Sequence, residues 1–207
     1  MKQMRKLNQL NEVGMFNRET LQRVLFVSKE TAYGDIKRWI KNGTIVQLKR
    51  GRYVTRDYFL LNRGQESYQE WIANKLKEPS YLSSEYVLQK HSILSEAVFG
   101  FTSVTLKKTD KYDNKLGGFI YTKIKPELFV GYEIKRKGIY EIKEASQAKA
   151  LFDYLYYQVG RVDKITPLLW EDMRMNMEEI TDEVRQEFNT YCEISGSKKM
   201  KEIGRIL

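Results

Sequence analysis

Apolar positions near the start of the chain recur every third place, at Met4, Leu7 and Leu10. That spacing predicts a short opening helix with Arg5 and Lys6 off its buried face, closed by Gly14. Asn17 then stands as the N-cap of a second helix, in which Leu21, Val24 and Leu25 form an i, i+3, i+4 stripe. Ser28 is placed to cap a third helix over Lys29 to Asn42. On it, Ala32, Ile36, Trp39 and Ile40 fall on one face, while Lys29, Tyr33, Lys37 and Lys41, four apart, fall on another. Asn42-Gly43 ends that helix, and alternation through Thr44 to Leu48, the turn Lys49-Arg50-Gly51 and the run Arg52-Tyr53-Val54 predict a β-hairpin with three cations around its tip. Helix, helix, helix and basic hairpin is the order of a winged helix-turn-helix, here over residues 1–63.

Asn62-Arg63-Gly64 reads as the junction to a second domain over residues 64–207. It opens with an amphipathic helix from Glu66 to Leu76, whose apolar side is Tyr68, Trp71, Ile72 and Leu76, stopped by Pro79. A short helix from Ser83 or Ser84 to Lys90 follows. Strands are predicted at Ala97 to Leu106, at Phe119 to Tyr121 after the turn Asp113 to Gly118, at Leu128 to Ile134 and at Gly138 to Ile142. The last two are separated by a basic turn, Lys135-Arg136-Lys137. Helices are expected at Ser146 to Tyr157, Pro167 to about Met177, Asp182 to about Ile194 and Lys198 to Ile206. The expected class is α+β, with a mainly antiparallel sheet and C-terminal helices in the larger domain.

Charge sharpens this division. The chain has 207 residues and a formal net charge of +9. Residues 1–63 hold 14 Lys and Arg against 5 Asp and Glu, which is the whole of the excess, while residues 64–207 balance 22 against 22. A basic module confined to one third of a chain is the footprint of a polyphosphate partner, because each cation placed on a phosphate releases condensed counterions. The major groove of DNA admits one α-helix between phosphate walls, and a hairpin beside it can reach the minor groove or flanking phosphates. The residues expected to contact double-stranded DNA are therefore Lys29, Thr31, Tyr33, Lys37, Arg38 and Lys41 on the third helix, with Lys49, Arg50 and Arg52 on the hairpin. An aromatic at helical spacing serves as core or as base reader; Trp39 reads as core, whereas Tyr33, on the cationic face, reads as either. A second basic set, Lys107, Lys108, Lys123, Lys125, Lys135, Arg136 and Lys137, suits either strand-edge cations that block pairing or a patch for RNA, flanking DNA or an acidic partner.

No apolar run approaches the roughly 20 residues that span a bilayer, and Met1 to Leu10 lack a signal-peptide core, so the chain reads as cytoplasmic with no membrane partner. The single cysteine, Cys192, rules out an internal disulfide. Cys192 reads as a small buried thiol, and His91, at a helix end, as a cap for carbonyls. Glu127, Glu133-Ile134-Lys135 and Glu141-Ile142-Lys143 faintly follow the carboxylate and lysine pattern of a metal-dependent nuclease of restriction type, though alternating Glu and Lys on strands is also a common solvated face. Nucleotidyl transfer needs a Gly-Ser followed by paired aspartates, and Gly196-Ser197 is followed by Lys198-Lys199. No catalytic residue, metal or cofactor is expected.

Several segments in order carry a family resemblance. Glu78-Pro79-Ser80-Tyr81-Leu82-Ser83-Ser84-Glu85-Tyr86-Val87-Leu88 with His91, then Phe101-Thr102-Ser103-Val104-Thr105, then Ile124 to Phe129 with Gly131-Tyr132, and Ala145 to Asp153 together resemble the AbiEi family of abortive-infection antitoxins over roughly residues 1–160. The last forty residues match only in helical character. The resemblance implies a winged-helix N-terminus that binds inverted repeats in its own promoter and represses its operon, as a monomer or weak homodimer on DNA. It also implies a larger domain that counteracts a nucleotidyltransferase-like toxin in a type IV system of phage defence, without need of a stable toxin complex.

Overall fold

The structure, a computed structural model, describes residues 2–158, 165–166 and 168–207, with side chains from Leu7 onward. The side chains of Met4, Arg5 and Lys6 and the helix start expected at Pro167 lie outside these. The described chain is α+β, with a two-stranded antiparallel sheet and a mixed six-stranded sheet. It forms two compact units, Met1–Ile72 with Asp113–Leu116, and Ala73–Tyr112 with Gly117–Leu207. The division falls inside a helix, and the Asn62-Arg63-Gly64 turn lies within the first unit.

In the first unit, α1 (Lys2–Asn11), α2 (Arg18–Leu25) and α3 (Lys29–Lys41) precede the hairpin of β1 (Ile45–Lys49) and β2 (Arg52–Thr55). The starts of α2 and α3 are capped by side chains. Asn17 Oδ1 accepts from the Thr20 N–H at 2.8 Å, and Ser28 Oγ accepts from the Thr31 N–H at 3.2 Å. Phe26, in the left-handed region at φ 50°, breaks the chain between α2 and α3. The stripes then close on one core: Leu10, Phe16, Leu21, Leu25, Ala32, Ile36, Trp39 and Ile45 are all buried. Phe16 joins the hairpin to this core through paired backbone hydrogen bonds with Tyr53, both 2.8 Å. Ile40 departs from the expected buried stripe; it is 38% exposed. The sequence reading leaves residues 56–62 unassigned, but they form α4 (Arg56–Asn62), capped by Thr55. α5 (Glu66–Leu76) has the predicted bounds and buries Tyr68, Ile72 and Leu76.

In the second unit the sheet runs β5-β6-β4-β3-β8-β7. Its strands are β3 (Ser80–Leu82), β4 (Phe101–Thr105), β5 (Asp110–Asn114), β6 (Gly117–Lys123), β7 (Tyr132–Lys137) and β8 (Tyr140–Ala145). The mainly antiparallel expectation gives way to a mixed sheet: β3–β4 and β7–β8 are antiparallel, but β4–β6 and β3–β8 are parallel. Long connections carry the parallel pairs, so no local turn announces them. Two strands, β3 and β5, have no counterpart in the sequence reading. The expected turn at Lys135-Arg136-Lys137 is the end of β7 instead, and the chain reverses at Gly138, where φ is +60°. The strand expected from Leu128 begins only at Tyr132, after a 3-10 turn at Pro126–Leu128.

Helices α6 (Glu85–Lys90), α7 (Gln147–Gln158), α8 (Leu169–Asp172), α9 (Asp182–Ser195) and α10 (Lys198–Ile206) complete the unit. α8 is far shorter than the helix expected to reach Met177, because Arg174 adopts φ 51° and turns the chain out of the helix. The end of α5 is pinned to the sheet where Tyr121 Oη donates to the Ala73 carbonyl at 2.5 Å and Asn74 bonds both backbone groups of Lys143. α7 brings a charged pair into the interior: Lys149 and Asp153, one turn apart, bind each other and are both fully buried. Tyr81 Oη and Ser83 Oγ donate to the second Asp153 oxygen at 3.0 and 2.7 Å. The Lys149 ammonium also lies 4.8 Å from the Phe152 ring centre and 5.4 Å from that of Tyr191. Burial pushes the Asp153 carboxyl up and the Lys149 ammonium down, each opposed by the other's charge.

Candidate nucleic-acid interface

The first unit carries an open groove of about 700 Å³ between the start of α2, the outer face of α3 and the hairpin. α3 supplies Tyr33, Ile36, Lys37 and Ile40, and the hairpin supplies Lys49 to Tyr53. Spacing by four explains the α3 contribution. With Ala32, Ile36 and Trp39 turned into the core, Tyr33 and Lys37 must project outward. Tyr33 is 62% exposed, which settles its open reading against the core, whereas Trp39 is 1% exposed. Gly51, at φ +79°, lets the two strands reverse beside Arg50.

Five of the nine residues expected at DNA thus line one groove: Tyr33, Lys37, Lys49, Arg50 and Arg52. Lys29, Thr31, Arg38 and Lys41 do not line it. Lys29 and Lys41 are exposed at opposite ends of α3, twelve residues and so about 18 Å apart. The Thr31 hydroxyl lies 3.1 Å from the Ser28 hydroxyl and so takes part in the cap. Arg38 reaches back to Asp35 at 2.5 Å.

Arg18 is the groove residue that the sequence reading passes over. Its signal was present: it is the first residue after the N-cap Asn17, at the start of a helix that feeds the basic surface. The Nε groups of Arg18 and of Arg52 are both buried with no hydrogen-bond acceptor among the described residues. A buried donor left so costs on the order of 1–3 kcal/mol. The groove therefore gathers five cations, Arg18, Lys37, Lys49, Arg50 and Arg52, against one carboxylate, Glu19. Chemically this is a concave polycation with an exposed tyrosine.

The second basic set does not form one surface. Lys107, Lys108, Lys123 and Lys125 follow or end β4 and β6, which are neighbours. Lys135, Arg136 and Lys137 lie on the edge strand β7, three strands from β4 and so about 14 Å away across the sheet. Lys135 is engaged with Glu144 at 2.7 Å and Arg136 with Glu141 at 3.3 Å. Glu144, itself buried, is also held by Lys90 at 2.5 Å. Burial acts to raise its pKa, but the two ammonium groups outweigh that and lower it.

Four residues of the nuclease pattern share the β7–β8 pair, but Glu133 and Lys135 lie on one face of it and Glu141 and Lys143 on the other. Glu127 sits in the 3-10 turn, Glu133 stands opposite Glu144, Glu141 opposite Arg136 and Lys143 opposite Ile134. Among the described residues no group of three His, Cys, Asp or Glu is placed to hold a metal ion. The His91 Nδ1, read as a cap for carbonyls, lies instead 2.9 Å from the side-chain Nε2 of Gln147. Burial and then the Lys135 charge lower its pKa. Cys192 is buried, and burial pushes its thiol up to about 12, far from a reactive thiolate. Among the described residues no helix is long and apolar enough to cross a membrane. Compared with known proteins, the chain matches no family model and no curated protein.

Proposed function

We propose that this chain is a DNA-binding repressor and antitoxin of the AbiEi kind. Its first unit acts as a winged helix-turn-helix: α3 enters the major groove at an inverted repeat in the chain's own promoter, and the β1–β2 hairpin is the wing. Its second unit counteracts a nucleotidyltransferase-like toxin of a type IV toxin-antitoxin system in the cytoplasm. One copy, alone or as a weak homodimer, occupies each half of the repeat.

The observation that carries the DNA reading is the convergence of Tyr33 and Lys37 with Lys49, Arg50 and Arg52 on one groove. Helix and hairpin residues far apart in sequence present one cationic, concave surface to a partner. All of the chain's charge excess lies in the same third. The antitoxin half is supported by the sequence resemblance, which runs through the β3–α6, β4 and α7 segments.

The test is fluorescence anisotropy of the full chain with a duplex from its own upstream region and a scrambled duplex of equal length. The upstream duplex should bind more tightly, and Lys37→Ala and Arg50→Ala should each weaken binding by about tenfold or more. Equal, feeble binding to both duplexes refutes the repressor. For the antitoxin, co-expression with the neighbouring gene should restore growth that this gene alone arrests. Metal-dependent plasmid cleavage that is lost in Glu133→Ala and Lys135→Ala would instead assign a nuclease to the second unit.

A further inference from the structure

We infer that Arg18 and Arg52 form a phosphate-holding pair, which seats one sugar-phosphate strand of the duplex in the groove between α2 and the hairpin without reading its sequence. The inference rests on the DNA reading and divides the groove's work. Neither arginine lies on the outward face of α3 that would meet base edges. Arg18 opens α2 and Arg52 opens β2, so they come to the same groove from two different elements.

Both are partly buried, unlike the exposed Lys37 and Arg50, and both have an Nε withdrawn from solvent with no acceptor among the described residues. A guanidinium offers its two Nη groups, neither of which is withdrawn from solvent here, as a parallel fork that matches two oxygens of a phosphate. A cation partly withdrawn from water is also less screened by salt than an exposed one, so an anion brought to it is held more firmly. The one carboxylate of the lining, Glu19, is exposed and lies 3.4 Å from the Asn17 side-chain amide, which donates to it. Tyr33 and Lys37 are left to face the bases.

Neutralising one phosphate contributes about 0.9 to the slope of log affinity against log salt. Salt titrations of the full chain should therefore show R18Q and R52Q each flattening that slope by about 0.9, on the upstream and on the scrambled duplex alike. The ratio of the two affinities should stay unchanged. R18K and R52K, which keep the charge and lose the fork, should keep the slope and bind more weakly. Duplexes carrying single neutral methylphosphonate linkages provide a readout on the unaltered protein. A linkage at the phosphate held by one of the two arginines should flatten the wild-type slope by the same amount and have no further effect in the variant that lacks that arginine. If the wild type binds and R18Q and R52Q keep its slope, or if they change the affinity ratio instead, the phosphate pair is overturned while the DNA reading stands. If the wild type prefers neither duplex and shows no salt dependence, the DNA reading fails and takes this inference with it.

Discussion

Removing one partner of the Lys149 and Asp153 pair strands a charge inside the second unit, since both side chains are fully buried. Asp153→Ala should therefore destabilise the chain by about 3–5 kcal/mol, read as a lower urea midpoint. The double variant Lys149→Met, Asp153→Leu, which removes both charges, should lose much less. At Glu144 the sign of the pH effect follows from its lowered pKa. A carboxyl held below its unfolded value contributes stability that is present above that value and is lost as pH falls through the folded one. Stability should fall on going from neutral pH to about pH 3, and Glu144→Gln should flatten that fall, measured as urea midpoints across the series. The sequence announced neither cluster. Lys149 sits among Ala148, Ala150 and Leu151, a pattern that marks a buried face but not the residue that neutralises a lysine on it. That residue is found one turn on, with Tyr81 and Ser83 some 70 positions away.

Elements were most legible where a cap and a stripe coincide. Ser28 and the α3 stripe fix both the start and the inward face of α3, and Ser28→Ala should cost about 1 kcal/mol in a thermal melt while leaving Lys37 and Tyr33 outward. β3 was not legible because it is three residues long and wholly buried, too short for alternation to declare itself. β7 was misplaced for the opposite reason: it is an edge strand whose Lys-Arg-Lys end is as polar as a turn. The connection before β7 depends on Gly131, at φ +75°, where a Cβ would collide with the Tyr191 hydroxyl. Gly131→Ala should destabilise by more than about 1 kcal/mol, visible in the same melts, and Tyr191→Phe should relieve part of that loss by removing the struck oxygen.

At the scale of the whole molecule, the charge confined to residues 1–63 predicts that affinity for any duplex falls steeply with salt. With five groove cations at work, the slope should approach about −4 to −5 on logarithmic axes, measured by anisotropy. A slope near zero would mean that the groove does not meet phosphates. The sequence by itself determined α1 to α3, the caps of α2 and α3, the hairpin and its basic tip, and the location of the excess charge. These follow from periodicities and end signals that act within a few residues. Only the tertiary structure decided that Tyr33 and Lys37 share a groove with Arg18 and Arg52, while Lys29, Thr31, Arg38 and Lys41 lie outside it. It alone decided, too, that the second sheet is mixed. Both depend on contacts between segments distant in the chain, and local propensity has no term for those.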